Sequence, residues 1–139
     1  MTSALRVLRL ILAFSIVSTG AHYSHNFVEI DSYPGGGTAQ QVLILVSWPL
    51  LTAIGVCGYR LYRSGRRREA HACLLIYSLA GLVTPAHFLS GEPDIPAFFY
   101  ATIFTDFVAG AAIVAFVAWS ARRAASPPAP LPRSPSSPA

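Results

Sequence analysis

The sequence predicts an all-α protein, a polytopic membrane domain of four helices packed up-down-up-down and followed by a disordered proline-rich tail. Of 139 residues, 53% are hydrophobic and 12% charged, against roughly 25% charged in an ordinary soluble domain; mean hydropathy is +0.50. Four windows long enough to cross a hydrocarbon core, which takes about 20 apolar helical residues, contain no acidic or basic residue except one aspartate. All ten basic residues are arginines and all lie outside those windows.

The first window runs from Leu10 to Val28 and predicts a helix over about 5–30. The second, Thr38 to Tyr59, predicts one over about 38–61, and the third, Ala70 to Gly91, one over about 70–90. The fourth, Ile95 to Ala121, is interrupted only by Asp106 and predicts a helix over about 95–121. Runs such as Val42 to Val46 have strand-like composition, but an open sheet in lipid leaves its edge donors and acceptors unpaired, so helices are the viable reading. The links Asp31–Gly37, Arg60–Glu69 and Glu92–Asp94 are short, which makes successive helices antiparallel neighbours. Residues 1–123 thus form the membrane domain. Residues 124–139 read AASPPAPLPRSPSSPA, with six prolines; such a stretch has too few amide donors and too little apolar surface to fold.

Arginines are retained on the cytoplasmic side of a membrane. Arg6 and Arg9 precede the first helix, Arg60, Arg63, Arg66, Arg67 and Arg68 fill the second link, and Arg122, Arg123 and Arg133 follow the fourth. The expected location is the cell plasma membrane with both termini cytoplasmic, and Asp31, Glu92 and Asp94 in the outward links. Topology explains the arginine run, so no nucleic-acid partner is implied. An alternative for the first helix is a secretory signal, with Arg6 and Arg9, an apolar LILAFSIVS run and small residues before a cleavage after Ala21 that would leave His22 at the terminus. The polar residues that continue at helical spacing beyond Ala21 favour an uncleaved helix. Cys57 and Cys73 fall at the cytoplasmic ends, where a structural disulfide is not expected. No P-loop, GxGxxG or GxSxG fingerprint occurs.

Ser15, Ser18, His22, His25 and Glu29 follow one another at spacings of three, four, three and four, so they share one side of the helix. Asn26 lies beside them. Such a seam turns toward other helices, because ionisable groups facing hydrocarbon cost several kcal/mol. Ser15 and Ser18 are read as interhelical hydrogen-bonding groups. The fourth helix supplies Thr102, Thr105 and Asp106, the one formally charged residue deep inside a span, which by default is a functional candidate. The third adds Thr84 and His87, and its Pro85 deprives the Gly81 carbonyl of its helical amide donor. Trp48, beside Pro49 in the second helix, is a candidate wall for a ligand. At 1.5 Å per residue, His25 and Asp106 each stand about 24 Å above Arg9 and Arg122, and Glu29 and His87 about 28–30 Å above Arg9 and Arg68. His22, His25, Glu29, His87 and Asp106 therefore fall in the outer half of the bundle, while His71 sits at the arginine-rich end.

Three functions fit these residues. The first is an acid–base isomerase or cyclase for a lipophilic, isoprenoid-like or polyketide-like molecule. Burial favours the uncharged forms of acids and imidazoles, so Asp106 is assigned as proton donor, His25 as base or relay and Glu29 as the group orienting His25. His22, Asn26, Trp48, Thr84, His87, Thr102 and Thr105 would bind the substrate. The pentad His25-Asn-Phe-Val-Glu29 resembles the His-xxx-Glu spacing of membrane sterol isomerases, a likeness of five residues that assigns no family. The second is a redox protein holding a transition metal or a haem on His22, His25, Glu29, His87 and Asp106; the first reading needs no cofactor. The third is a non-enzymatic membrane subunit or transporter component. Expected partners are membrane lipid and a lipophilic small molecule, with a homo-oligomer or membrane partner protein left open.

Overall fold

The computed structural model describes residues 3–32, 37–90 and 96–125; the side chains of Ser32, His87, Ser90 and Ala97 are outside the description. Most of the expected tail, and the link residues Glu92 and Asp94, lie outside the described residues. Four long helices form, α1 (Ser3–Val28), α2 (Thr38–Arg63), α3 (Arg67–Leu82) and α4 (Ala97–Ala125), with 3-10 segments at Ile30–Ser32 and Thr84–Ser90. Each of the four spans, the third completed by the start of its 3-10 segment to Ala86, is long and apolar enough to cross a membrane.

The third helix is shorter than the sequence suggests. Regular α-structure ends at Leu82 rather than near residue 90, because Pro85 has no amide proton and its ring disfavours helical geometry at Thr84. The Gly81 carbonyl, denied the amide of residue 85, is bonded by a backbone N–H at the helix C-cap and by the Thr84 hydroxyl at 2.7 Å, which also lies 3.1 Å from the Ile103 carbonyl of α4. The chain then tightens, with the Ala86 amide bonding the Val83 carbonyl. In α2, by contrast, Pro49 is accommodated inside a continuous helix.

Between α2 and α3 only residues 64–66 intervene, fewer than the expected ten-residue link. The Gly65 amide bonds the Tyr62 carbonyl and the Arg66 amide the Leu61 carbonyl, the paired bonds of a Schellman helix end. Its left-handed position falls on Gly65, at φ 84°, where a side chain would be strained.

Burial is inverted relative to a soluble protein. Val17, Leu10, Leu43, Leu45, Phe98 and Val108 are exposed, whereas Ser15, Thr19, His22, His25, Ser78 and Asp106 are buried, as expected where lipid rather than water is the solvent. The apolar core gathers toward the arginine-rich end, from Leu8 and Leu12 of α1, Tyr62 of α2, Leu74 and Tyr77 of α3, and Ile113 and Phe116 of α4. A smaller cluster surrounds Ile103 at the other end. Glycines set the closest approaches. Gly55 and Gly58 of α2 lie against Tyr77 and Leu74 of α3, and a Cβ on Gly81 would collide with the Asp106 carbonyl oxygen of α4.

Candidate functional site

Asp106 is fully buried where α1, α3 and α4 meet. Gly81 of α3 admits α4 to backbone contact at that residue, and α1 crosses it at Thr19. Thr19 Oγ1 lies 2.9 Å from Asp106 Oδ1 and also bonds the Ser15 carbonyl. Asp106 Oδ2 has no hydrogen-bond partner among the described residues. One phenol joins this network, Tyr77 of α3, through Ser15. Ser15 Oγ donates to Tyr77 Oη at 3.2 Å.

The polar seam of α1 is packed inward over six residues, Ser15, Ser18, Thr19, His22, His25 and Asn26. Ser15 and Ser18 act as interhelical links, since Ser18 Oγ donates to Thr105 Oγ1 at 3.0 Å. Further along, Asn26 Nδ2 donates to His22 Nε2 at 3.1 Å. An amide nitrogen cannot accept, so Nε2 is the acceptor and the His22 ring proton lies on Nδ1. His25 is stacked on Phe99 of α4, with ring centroids 3.7 Å apart and planes 3° from parallel. Glu29 lies just beyond α1, partly exposed, and its amide bonds the His25 carbonyl.

These pairings correct the depth ruler. Partner numbers fall along α4 as they rise along α1, from Thr19–Asp106 to His25–Phe99, so His25 stands six residues, about 9 Å, beyond the level of Asp106. His22 is about 4.5 Å beyond it. The ruler assumed that the arginines flanking each helix lie in one plane. Instead Ala4 of α1 and Ser120 of α4 line the same cavity, so Arg9 sits well inside the level of Arg122; a long side chain lets its charge reach the surface from there.

The hydroxyls of Thr84, Thr102 and Thr105 are engaged with carbonyls, Thr102 with Phe99 and Thr105 with Thr102. They hold helix backbone together at the level assigned to substrate. The His87 side chain is outside the description. Among the described residues no group of three or more His, Cys, Asp or Glu is placed to hold a metal ion. Cys57 and Cys73 are free thiols.

On the neighbouring face of α1 a cleft of about 310 Å³ opens between α1 and α2. Gly20, Tyr23, Ser24, Phe27, Leu45 and Trp48 line it. The Trp48 indole lies over Gly20, where a Cβ would come within 3.3 Å of the ring. Trp48 Nε1 and Thr52 Oγ1 are buried without a hydrogen-bond partner among the described residues. His22, His25 and Asp106 do not line this cleft. Tyr23 does, and it stands one turn along α1 from Thr19, the partner of Asp106. Sequence periodicity missed Tyr23, Thr19 and Tyr77. Tyr23 falls between the seam positions, and a tyrosine near a membrane interface reads as an aromatic belt; Thr19, one residue after Ser18, was a legible signal. Comparisons with protein-family models, characterised proteins and solved structures find no significant match to this chain.

Proposed function

We propose that this chain is a multi-pass protein of the plasma membrane, up-down-up-down with cytoplasmic termini, and an acid–base isomerase or cyclase of a lipophilic molecule held in the α1–α2 cleft. The arginine distribution and the opposed pairing of α1 with α4 support the topology. The observation that carries the chemistry is Tyr23, which lines the cleft and stands one helical turn (i+4) from Thr19, the hydrogen-bond partner of the buried Asp106.

Hydrogen-bond counting gives Asp106 its role. The Thr19 hydroxyl has one proton and two acceptors beside it, the Ser15 carbonyl and Asp106 Oδ1. If that proton goes to the carbonyl, the carboxyl carries its own and donates from Oδ1 to Thr19, and Oδ2 is the one atom of the pair left without a partner among the described residues. Asp106 then serves as proton reservoir and the Tyr23 hydroxyl as the group that touches substrate. Tyr23 delivers a proton to one carbon of an unsaturated, isoprenoid-like or polyketide-like molecule and is reprotonated from Asp106 through a bridging water, the carboxyl having no direct hydrogen bond to Tyr23. Loss of a proton from another carbon completes an isomerisation with no redox partner. Its acceptor is an imidazole of the α1 seam reached by relay, since neither His22 nor His25 lines the cleft, and the proton it takes up returns to Asp106 to reset the site; the His22 and Tyr23 rings lie 6.1 Å apart. The unpaired Trp48 Nε1 would bond an oxygen of the same molecule.

The test is proton exchange. Protein in lipid nanodiscs is incubated in D2O with a membrane lipid extract, and lipophilic components are scanned for mass gain. Wild type is expected to label one species, with Tyr23→Phe and Asp106→Asn abolishing the label. Labelling that survives both substitutions removes this reading.

A second reading, a non-enzymatic membrane subunit, draws on the enclosure of Asp106 by Thr19 and by the backbone at Gly81. It predicts that Asp106→Asn weakens association with a partner, while no species exchanges deuterium.

A further inference from the structure

At the arginine-rich end a second cavity, of about 260 Å³, lies between the start of α1 and the ends of α2, α3 and α4. Ala4, Tyr62, Arg67, Trp119, Ser120 and Arg123 line it, and none of its lining residues is acidic. Its two guanidinium groups are held by aromatic faces. Arg67 lies over the Tyr62 ring, 4.6 Å from its centroid, and Arg123 over Trp119 at 4.4 Å. Arg67 Nη1 also donates to Tyr62 Oη at 2.6 Å, and Tyr62 Oη and Ser120 Oγ share a hydrogen bond at 2.9 Å. His71 Nε2 lies 3.2 Å from the same Ser120 Oγ. Tyr62 and Ser120 are buried. The acidic residue in the first turn of α3, Glu69, is exposed and pairs with Arg66 outside the cavity.

Stacking on a ring fixes a guanidinium plane while leaving donors at its edge for a ligand. Two such groups around one cavity, braced by the buried Tyr62 and Ser120 with the half-buried His71, make a donor set suited to a tetrahedral oxyanion, which guanidinium binds through paired N–H bonds. α3 begins at Arg67 with no side-chain cap on its N-terminus, which adds the positive end of a helix dipole.

We propose that this cavity is a binding site for a phosphate group, carried by an anionic lipid headgroup or by a soluble phosphate. It is separate from the cleft that holds the lipophilic molecule. The site explains what topology alone does not, namely why Arg67 and Arg123, though exposed, each lie over an aromatic ring beside one hollow.

The experiment is native mass spectrometry of the full chain released from detergent micelles, with phosphatidylglycerol or phosphate-free diacylglycerol added. Wild type is expected to retain phosphatidylglycerol and not diacylglycerol. Arg67→Ala and Arg123→Ala are expected to lower retention by about tenfold or more, and Arg123→Lys to lower it in part, since lysine keeps the charge but loses the planar fork. Arg60→Ala, outside the cavity, is the control and should match wild type. Arg67 also supports Tyr62, so the Arg123 variants decide the outcome if Arg67→Ala fails to fold. Inorganic phosphate titrated against the lipid adduct identifies the source: displacement at millimolar concentration points to a soluble phosphate, and its absence to a headgroup. Equal retention of both lipids, an Arg60→Ala loss as large as that of Arg123→Ala, or Arg123→Lys behaving as wild type would overturn the site.

Discussion

Thr19 and Asp106 form a pair whose members can be separated by substitution. Asn in place of Asp106 can turn its amide N–H to the Thr19 oxygen and keeps nearly the same volume, so Asp106→Asn is expected to fold while losing the ability to release a proton. Difference infrared spectroscopy checks the protonation argument directly: a carboxylic acid C=O band present in wild type should vanish in Asp106→Asn, and a carboxylate band in its place would contradict it. Thr19→Val keeps the shape and removes the hydroxyl. Interhelical hydrogen bonds in lipid contribute about 0.6–2 kcal/mol, so thermal unfolding in detergent should show a loss of that size. Thr84→Val should cost about 1–3 kcal/mol, because it removes the hydroxyl that bonds the Gly81 carbonyl of α3 and lies against the Ile103 carbonyl of α4. A Thr84→Val protein as stable as wild type would mean that those carbonyls do not need the hydroxyl.

Among the elements, α3 depends most on what its neighbours lack. Gly81 and Gly110 let α3 and α4 meet backbone to backbone, where a Cβ on Gly110 would stand 2.8 Å from the Ser78 carbonyl oxygen. A methyl at either position must push the helices apart, so Gly81→Ala and Gly110→Ala are each expected to destabilise by about 1–3 kcal/mol and to disturb Asp106 as well. Gly37, with nothing near its would-be Cβ and an extended φ of 167°, should accept alanine with little change; thermal unfolding of the three variants makes the comparison. The four spans and the arginines at the helix ends were legible as windows and charges. The end of α3 was legible only in part. Pro85 announced a carbonyl without its helical amide, but the sequence did not say that Thr84 would bond it and that the chain would tighten into a 3-10 segment. The α2–α3 turn was shorter than expected because arginines are good helix formers even where they look like a polar link.

Across the whole molecule, topology is open to a test with the native thiols. Cys57 is exposed, Cys73 partly so, and both are free at the arginine-rich end. A membrane-impermeant maleimide should label them in inside-out vesicles and leave them unlabelled in intact cells; labelling of intact cells would invert the proposed orientation and move the phosphate site outside. By itself the sequence determined the four apolar spans and the inward-turned seam of α1, because a hydrocarbon solvent penalises every misplaced charge by several kcal/mol and so writes its preference into composition. It could not determine which groups on facing helices share a level. That depends on how far one helix slides along the next, which is fixed by glycine contacts such as Gly81 against Asp106 and by ring stacking such as His25 on Phe99. Only the tertiary structure therefore set Thr19 rather than His25 beside the buried carboxyl, and opened the α1–α2 cleft beside Tyr23. The penalty for burying charge acts on each helix alone, whereas register is a property of pairs.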